Sequence, residues 1–502
     1  MNKKKYIDSI FLIILGVTTS FSLPPFNYLI INFLTFSLFF LFLIKKSNQH
    51  KKKMNFFLYG WLFGFGYFLS NLYWISISLT FDQNFKFLIP LTIILIPAFL
   101  AIFYGLISYF FIILKPQRIL SSFLVFSLIF GFLEFVRGSI LTGFPWNLIA
   151  YSFSNQLEIL SIISVLGTYG FNLFCISLFT SPATFILRDT RKDMGVCIFF
   201  LIAIIFFYTH GFLYKEKFNK AVKKDFDFKV RVIGSNISLD RFYRNIDSVS
   251  IIQDLIKISD PNTDEKIIFV WPEGIIPNIS QEQLVEYRWL FNKNFNENHL
   301  LIIGTNSQSI NNGSKDYFNS FSIYNNKLDL LNSYNKINLV PFGEFLPFEN
   351  ILGNIGLKSL TNNYQSFSSG DQRDIIKIKQ ENFSLKILPL ICYEIIYSGN
   401  LFDSSDFELI VNISEDGWFG QSIGPKQHFV HSILRAIESG KYVVRSANNG
   451  IAAIINPLGD IEQSVNFGQS GYVDLRGNRK IQPTIFSKYG NKIFGLLILL
   501  YI

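Results

Sequence analysis

Residues Phe87–Leu114 read FLIPLTIILIPAFLAIFYGLISYFFIIL, an apolar run with no charged side chain. A helix rises 1.5 Å per residue, so about 20 apolar residues cross the ~30 Å hydrocarbon core of a bilayer. This run is long enough to span, and it sets the class of fold: an α-helical membrane protein. On either side of it the pattern repeats. Further runs lie at about 7–23, 27–44, 56–80, 119–141, 158–187 and 195–213, and another at 485–502. About eight transmembrane helices are therefore expected. The first run follows a lysine cluster, as a signal peptide would. No small-residue cleavage pattern follows it, and Leu23-Pro24-Pro25-Phe26 leads straight into the next run, so a retained helix is expected.

Composition agrees. Half the residues are hydrophobic, 57 are Phe, and only 16% are charged, against about 25% in soluble domains. The net charge of +9 does not mark a nucleic-acid binder. Its densest clusters (Lys3–Lys5, Lys45-Lys46, Lys51–Lys53, Arg188–Lys192) sit between apolar runs, where cations set membrane orientation. With the N-terminus inside, the inner segments carry Lys3, Lys4, Lys5, Lys45, Lys46, Lys51, Lys52, Lys53, Lys115, Arg118, Arg188, Arg191 and Lys192, while the short outer loops carry only Lys86. Seven spans then place residues 214–484 outside, and the closing run returns the C-terminus to the cytoplasm. The expected organisation is a membrane domain over 1–213, an extracytoplasmic domain over 214–484 and a last transmembrane helix over 485–502.

The outer region has a different texture. Short β-like runs recur at Lys229–Ile233, Ile267–Trp271, Leu300–Gly304, Phe321–Tyr324, Leu385–Cys392, Leu409–Ile413, Tyr442–Ser446 and Ile451–Ile455, with amphipathic stretches at 246–258, 281–292 and 426–439. That alternation predicts an α/β domain with helices covering sheet faces. Residues 346–370, rich in Asn, Ser, Gly and Phe, predict a long loop.

Three cysteines occur: Cys175 and Cys197 within apolar runs, and Cys392 alone in the outer region. Their spacing matches no zinc site. Cys392 reads in two ways. It is a buried hydrophobe at a strand end, or a nucleophile emerging where apolar Leu385–Ile391 meets Tyr393-Glu394. A nucleophile needs a base and a cation. Glu273 follows the run Ile267–Trp271, and Lys336 precedes Leu339–Glu344; each alone is an ordinary surface charge.

Taken together, these residues carry a resemblance. Trp271-Pro272-Glu273, Asn335-Lys336 through Gly343-Glu344, and Ile391-Cys392-Tyr393-Glu394 resemble the three catalytic blocks of the nitrilase (carbon–nitrogen hydrolase) superfamily, and in particular its membrane-bound branch, the apolipoprotein N-acyltransferases. Further similar blocks are Trp418-Phe419-Gly420, Gly424–His428, Arg435-Ala436 and Arg445–Gly450, and, in the membrane half, Gly60–Gly64, Trp74-Ile75 and Thr142–Trp146.

The resemblance implies an αββα sandwich on the outer face of a bacterial inner membrane, and an acyltransferase of the final step of lipoprotein maturation. Cys392 would be the nucleophile, Glu273 the general base and Lys336 the oxyanion-stabilising cation, with Glu344, Tyr393 and Glu394 in support. For Glu344 and Glu394 a purely structural salt bridge is the equal alternative. The implied donor is a membrane phospholipid and the acceptor a diacylated apolipoprotein; the bilayer is the remaining partner, a monomer is expected, and no metal or cofactor is implied. The same triad also serves a membrane-anchored amide or nitrile hydrolase with water as acceptor.

The chain departs from the family pattern at Gly234–Leu239, at Tyr243 where a tryptophan is usual, and at Glu415 where an asparagine is usual. Tyr243, Phe342, Phe345, Phe348 and Trp418 are candidates for lipid access, the phenylalanines as part of an apolar arm over 342–367 that includes Leu357. Glu134 and Arg137 are spaced to pair on one helix face. His428 and His431 read as polar surface without a third metal ligand.

Overall fold

The computed structural model describes the chain apart from residues 1–2, 50–51, 244–245, 277–278, 312–313, 356–365, 403 and 502. Apolar helices come first: α1 (Lys3–Ser20), α2 (Ile30–Ser47), α3 (Lys53–Leu72), α4 (Ile89–Leu114), α5 (Ile119–Arg137), the single turn α6 (Leu157–Leu160), α7 (Ile163–Leu187) and α8 (Arg191–Lys220). Pro90 sits in the first turn of α4, where its missing N–H is not needed.

The outer region follows as β1 (Lys223–Ser235), α9 (Ser248–Ser259), β2 (Ile267–Val270), α10 (Arg288–Asn294), β3 (His299–Asn311), β4 (Ser314–Asn325), β5 (Leu330–Asn335), α11 (Glu349–Leu352), β6 (Ile376–Gln380), β7 (Phe383–Ile391), β8 (Leu409–Glu415), α12 (Gly424–Ser439), β9 (Tyr442–Asn448), β10 (Ala452–Ile455), β11 (Ile461–Val465) and β12 (Gly471–Arg479). Two helices close the chain, α13 (Ile485–Tyr489) and α14 (Lys492–Tyr501).

Among the described residues, six segments are long and apolar enough to span a membrane: Ile30–Ser47, Lys53–Thr80, Gln83–Leu114, Ile119–Arg137, Ile163–Leu187 and Arg191–Lys220. Two of the eight expected runs fall outside that set. α1 is long enough but carries Lys3, Lys4, Lys5 and Asp8. The closing run breaks at Gly490, which has a φ of 54°, leaving α14 with 10 residues. At 1.5 Å per residue that is roughly 15 Å, half a hydrocarbon core.

The chain divides into two compact units. The first comprises Met1–Lys217, Ser422–Val430 and Thr484–Ile502; the second comprises Phe218–Gln421 and His431–Pro483. In the first unit, helices approach where a side chain is missing. A Cβ on Gly60 would stand 2.1 Å from the Tyr104 carbonyl oxygen, and one on Gly66 2.2 Å from that of Ile13, so glycine permits backbone contact between α3 and both α4 and α1. Phenylalanines fill the rest: Phe39 stacks on Phe63 at 4.3 Å, and Phe36, Phe126 and Phe130 are fully buried beside them.

Within the apolar bundle Glu134 and Arg137 pair at 2.6 Å with no side-chain exposure, and Arg137 also donates to the Phe144 carbonyl. A charge in this setting must be paired. Gln427 accepts from the indoles of Trp74 and Trp146 at 3.1 and 3.0 Å. His428 and His431 are both buried, which corrects their reading as polar surface; the His428 ring stacks on Trp146 at 5.2 Å.

In the second unit the strands run in the order β5-β4-β3-β2-β1-β9-β8-β7-β6. β1, β2 and β3 are parallel, and β4 and β5 extend them antiparallel. β9, β8 and β7 are parallel, and β6 closes that side antiparallel. In strand pairing the halves are joined at Gly234↔Ala447 and Ser235↔Asn448. Strands β2, β8 and β9 are buried along their whole length, as parallel strands covered on both faces must be. α9 and α10 cover the first half through Ile252, Leu255, Leu290 and Phe291 against Phe269, Trp271 and Leu301. α12 serves the other half, where Arg435 donates to the carbonyls of Ile396 and Tyr397 at 3.0 and 2.6 Å. The result is an α/β sandwich with the C-terminal ends of β2, β5, β7, β8 and β9 on one edge.

Candidate active site

That edge gathers the polar residues. Glu273 comes just beyond β2, Lys336 directly follows β5, Cys392 directly follows β7, and Glu415 ends β8. Apolar strands give each a rigid base. Lys336 Nζ stands 3.2 Å from Glu273 Oε1 and 2.9 Å from Glu344 Oε1, and its side chain is 1% exposed. Asn319 Nδ2 on β4 donates to the same two oxygens at 2.7 and 2.8 Å. The other Glu273 oxygen accepts the Glu415 main-chain N–H at 2.9 Å, and the other Glu344 oxygen that of Val340 at 2.7 Å. The Glu273 carboxylate is thereby held from three sides.

Burial opposes charge on Lys336, yet the carboxylates of Glu273 and Glu344 together raise its pKa well above the usual lysine range. The ammonium is a permanent cation here.

Cys392 occupies a left-handed corner with φ 48°, a conformation that costs a non-glycine residue energy and recurs at functional turns. It opens the turn Cys392–Ile396. Burial pushes its thiol pKa well up, as do the negative charges of Glu273 and Asp416, against the pull of Lys336 and the nearby Ser414 hydroxyl. The resting sulfur is therefore a protonated thiol, and a thiol acts as a nucleophile only once a base has taken its proton.

Glu394 shapes the corner. Its Oε2 accepts the Ile391 N–H at 2.8 Å; its Oε1 accepts from the Tyr334 hydroxyl at 2.6 Å, the Ile337 N–H at 3.0 Å and the Arg373 guanidinium at 2.6 Å. The carboxylate so ties the Cys392 turn to the segment bearing Lys336. Tyr393 is buried and packs edge-on to Tyr397 at 5.6 Å.

The aromatic candidates divide into two places. Tyr243, half-exposed, stands 6.5 Å from Trp418, whose indole also meets Phe242 at 5.3 Å. Phe342 and Phe348 are exposed and Phe345 is partly so, on the loop after Lys336. Phe342 and Phe348 have φ values of 64° and 52°. The remainder of the expected arm at 356–365, Leu357 among it, lies outside the described residues.

Several site residues escaped the sequence reading. Asn319 is a polar residue on a buried part of β4, a signal available in principle. Arg373 sits ahead of β6 with no local mark. Asp416, which pairs at 2.8 Å with Arg445 of the Arg445–Gly450 block, both side chains fully buried, is by itself an unremarkable charge in sequence.

A sandwich with Glu, Lys and Cys on one strand edge defines a carbon–nitrogen hydrolase domain, and residues 266–484 match the Carbon-nitrogen hydrolase family model. Residues 15–181 match the Apolipoprotein N-acyltransferase N-terminal domain. The chain is 32% identical to the apolipoprotein N-acyltransferase of Rhizobium leguminosarum bv. trifolii, over 94% of this chain and 90% of that one. To the apolipoprotein N-acyltransferase of Rickettsia prowazekii it is also 32% identical, over 98% and 96%. Among solved structures, Saccharomyces cerevisiae Nit3 of the nitrilase superfamily aligns with 50% of this chain and 90% of its own, at 17% identity and a TM-score of 0.34. The chain belongs to the apolipoprotein N-acyltransferase family, a family of bacterial membrane enzymes.

Proposed function

We propose that this enzyme moves a fatty acyl chain from a membrane phospholipid, through a thioester on Cys392, to the N-terminal amine of a diacylglyceryl-cysteine lipoprotein. The observation that carries this reading is the buried contact of Lys336 with Glu273 and Glu344, which share the strand edge with Cys392. Glu273 takes the thiol proton as Cys392 attacks the ester carbonyl. The tetrahedral oxyanion is met by the Lys336 ammonium and the Tyr393 main-chain N–H. Collapse breaks the ester C–O bond, Glu273 returns the proton to the departing alkoxide, and a lysophospholipid leaves. The acceptor amine then attacks the thioester and gives its proton to Glu273. The C–S bond breaks, and that proton restores the thiol. Thioester to amide runs downhill, so no cofactor drives the transfer.

The basic inner segments and single outer lysine support an extracytoplasmic catalytic domain with both termini in the cytoplasm. The test feeds detergent-solubilised enzyme a phospholipid labelled in its acyl chain. Label is expected on the Cys392 peptide, followed by passage to a diacylated lipopeptide. Release of free fatty acid to water at the same rate with or without lipopeptide would instead favour a hydrolase.

A further inference from the structure

Glu415 is a carboxylate at an enclosed position, its side chain 2% exposed, and the structure supplies a reason for it. Its Oε2 pairs with the Arg241 guanidinium and accepts Asn448 Nδ2 at 2.7 Å; its Oε1 accepts the Gly417 N–H at 2.8 Å. Both side chains are buried, Arg241 completely. Arg241 also donates to the carbonyls of Ser238 and Ile237 at 3.1 and 3.3 Å, and lies over the Phe242 ring at 4.4 Å. The pair joins three segments: the loop at 237–242, the end of β8 and the end of β9. From the middle of that clamp, the Glu415 main-chain N–H reaches Glu273 Oε2.

A buried ion pair is seldom a net source of stability, since desolvation offsets its attraction; its common use is to fix one geometry. Here the fixed geometry is that of the turn whose amide holds the base. We infer that Arg241 and Glu415 are a positioning pair for Glu273, fixing the carboxylate that deprotonates Cys392. The inference rests on the reading of Glu273 as the base. Arg241 never meets the reacting atoms; it acts through Glu415.

The test reads thiol activation without any acyl substrate. The full-length enzyme in detergent is treated with iodoacetamide, and alkylation of Cys392 is followed by peptide mass spectrometry against Cys197 as internal reference. Glu273→Gln is the control for the base. Arg241→Met, Glu415→Gln and the double variant should each slow Cys392 relative to Cys197 by roughly tenfold or more, the scale of a small misplacement of a reacting group. The double should be no slower than the slower single, because the two act as one device. Arg241→Lys, which keeps the charge, should stay within a few-fold of wild type.

The double leaves no lone buried charge, so it decides the matter if Arg241→Met does not fold. A wild-type alkylation ratio in the double, even with a lowered melting temperature, makes the pair merely structural and overturns the inference. A wild-type ratio in Glu273→Gln removes the base reading and the inference together. Failure to take acyl chains from phospholipid, with these ratios as expected, removes only the donor reading.

Discussion

The Tyr334 hydroxyl donates to Glu394 at 2.6 Å, linking the strand that leads into Lys336 to the turn that begins at Cys392. Glu394 is fully buried, and its partner Arg373 remains when it is removed. Glu394→Ala is therefore expected to cost about 3–5 kcal/mol, the usual penalty for orphaning a buried charge. It should also slow thioester formation, because the Ile391 N–H is released. Thermal unfolding and single-turnover acylation check both parts; an unchanged melting temperature would contradict the assigned role.

Cys392→Ala should abolish the acyl-enzyme while the protein still inserts in membranes. Glu273→Gln should slow thioester formation by about 10²–10⁴-fold, the range for losing a general base. Intact-mass analysis after incubation with phospholipid measures each.

Lys336→Met removes the cation that Glu273 and Glu344 share. Thioester formation is expected to fall at least ~10²-fold from loss of oxyanion stabilisation. The two carboxylates remain joined through Asn319. Single-turnover acylation followed by intact mass is the check, and a wild-type rate would remove Lys336 from oxyanion stabilisation.

The Cys392 thiol pKa is raised, first by burial and then by Glu273. Above the ordinary thiol value of about 8.5 an exposed cysteine has lost its proton while Cys392 keeps it. Its alkylation rate should keep climbing past pH 9, where a small reference thiol has levelled off. The same sign applies to stability: unfolding releases that proton, so this group's contribution is full below about pH 8.5 and is lost as pH rises through the folded value. A plateau near pH 8.5 would show an unshifted thiol.

Phe348 is 69% exposed and left-handed in backbone. Glycine there removes strain of about 1 kcal/mol or more together with the ring. Phe348→Gly should hold or raise the melting temperature while raising KM for phospholipid, if the ring meets lipid. An unchanged KM would take Phe348 out of the lipid path.

The membrane helices were legible because a bilayer demands long apolar runs. Glu273, Lys336 and Cys392 each lie at the edge of an apolar stretch, and it was the resemblance of the blocks around them to a known family that singled them out. What eluded the sequence has a common cause, dependence on partners far along the chain. Arg373 matters through Glu394, and Arg241 through Glu415, which the sequence marked only as a departure. The stretch 426–439 reads as one amphipathic helix, and nothing local says that its first residues belong to a different unit. The closing run looked like a span because its apolar residues outweigh Lys488 and Lys492; Gly490 between them divides it.

The discontinuity of the first unit bears on biogenesis. Helices α1–α8 leave the ribosome early, but Ser422–Val430 and Thr484–Ile502 emerge only after most of the sandwich. Until then the indoles of Trp74 and Trp146 lack the Gln427 oxygen that later accepts from both. The Gln427 contacts of the bundle thus close only after the chain beyond residue 422 has been made.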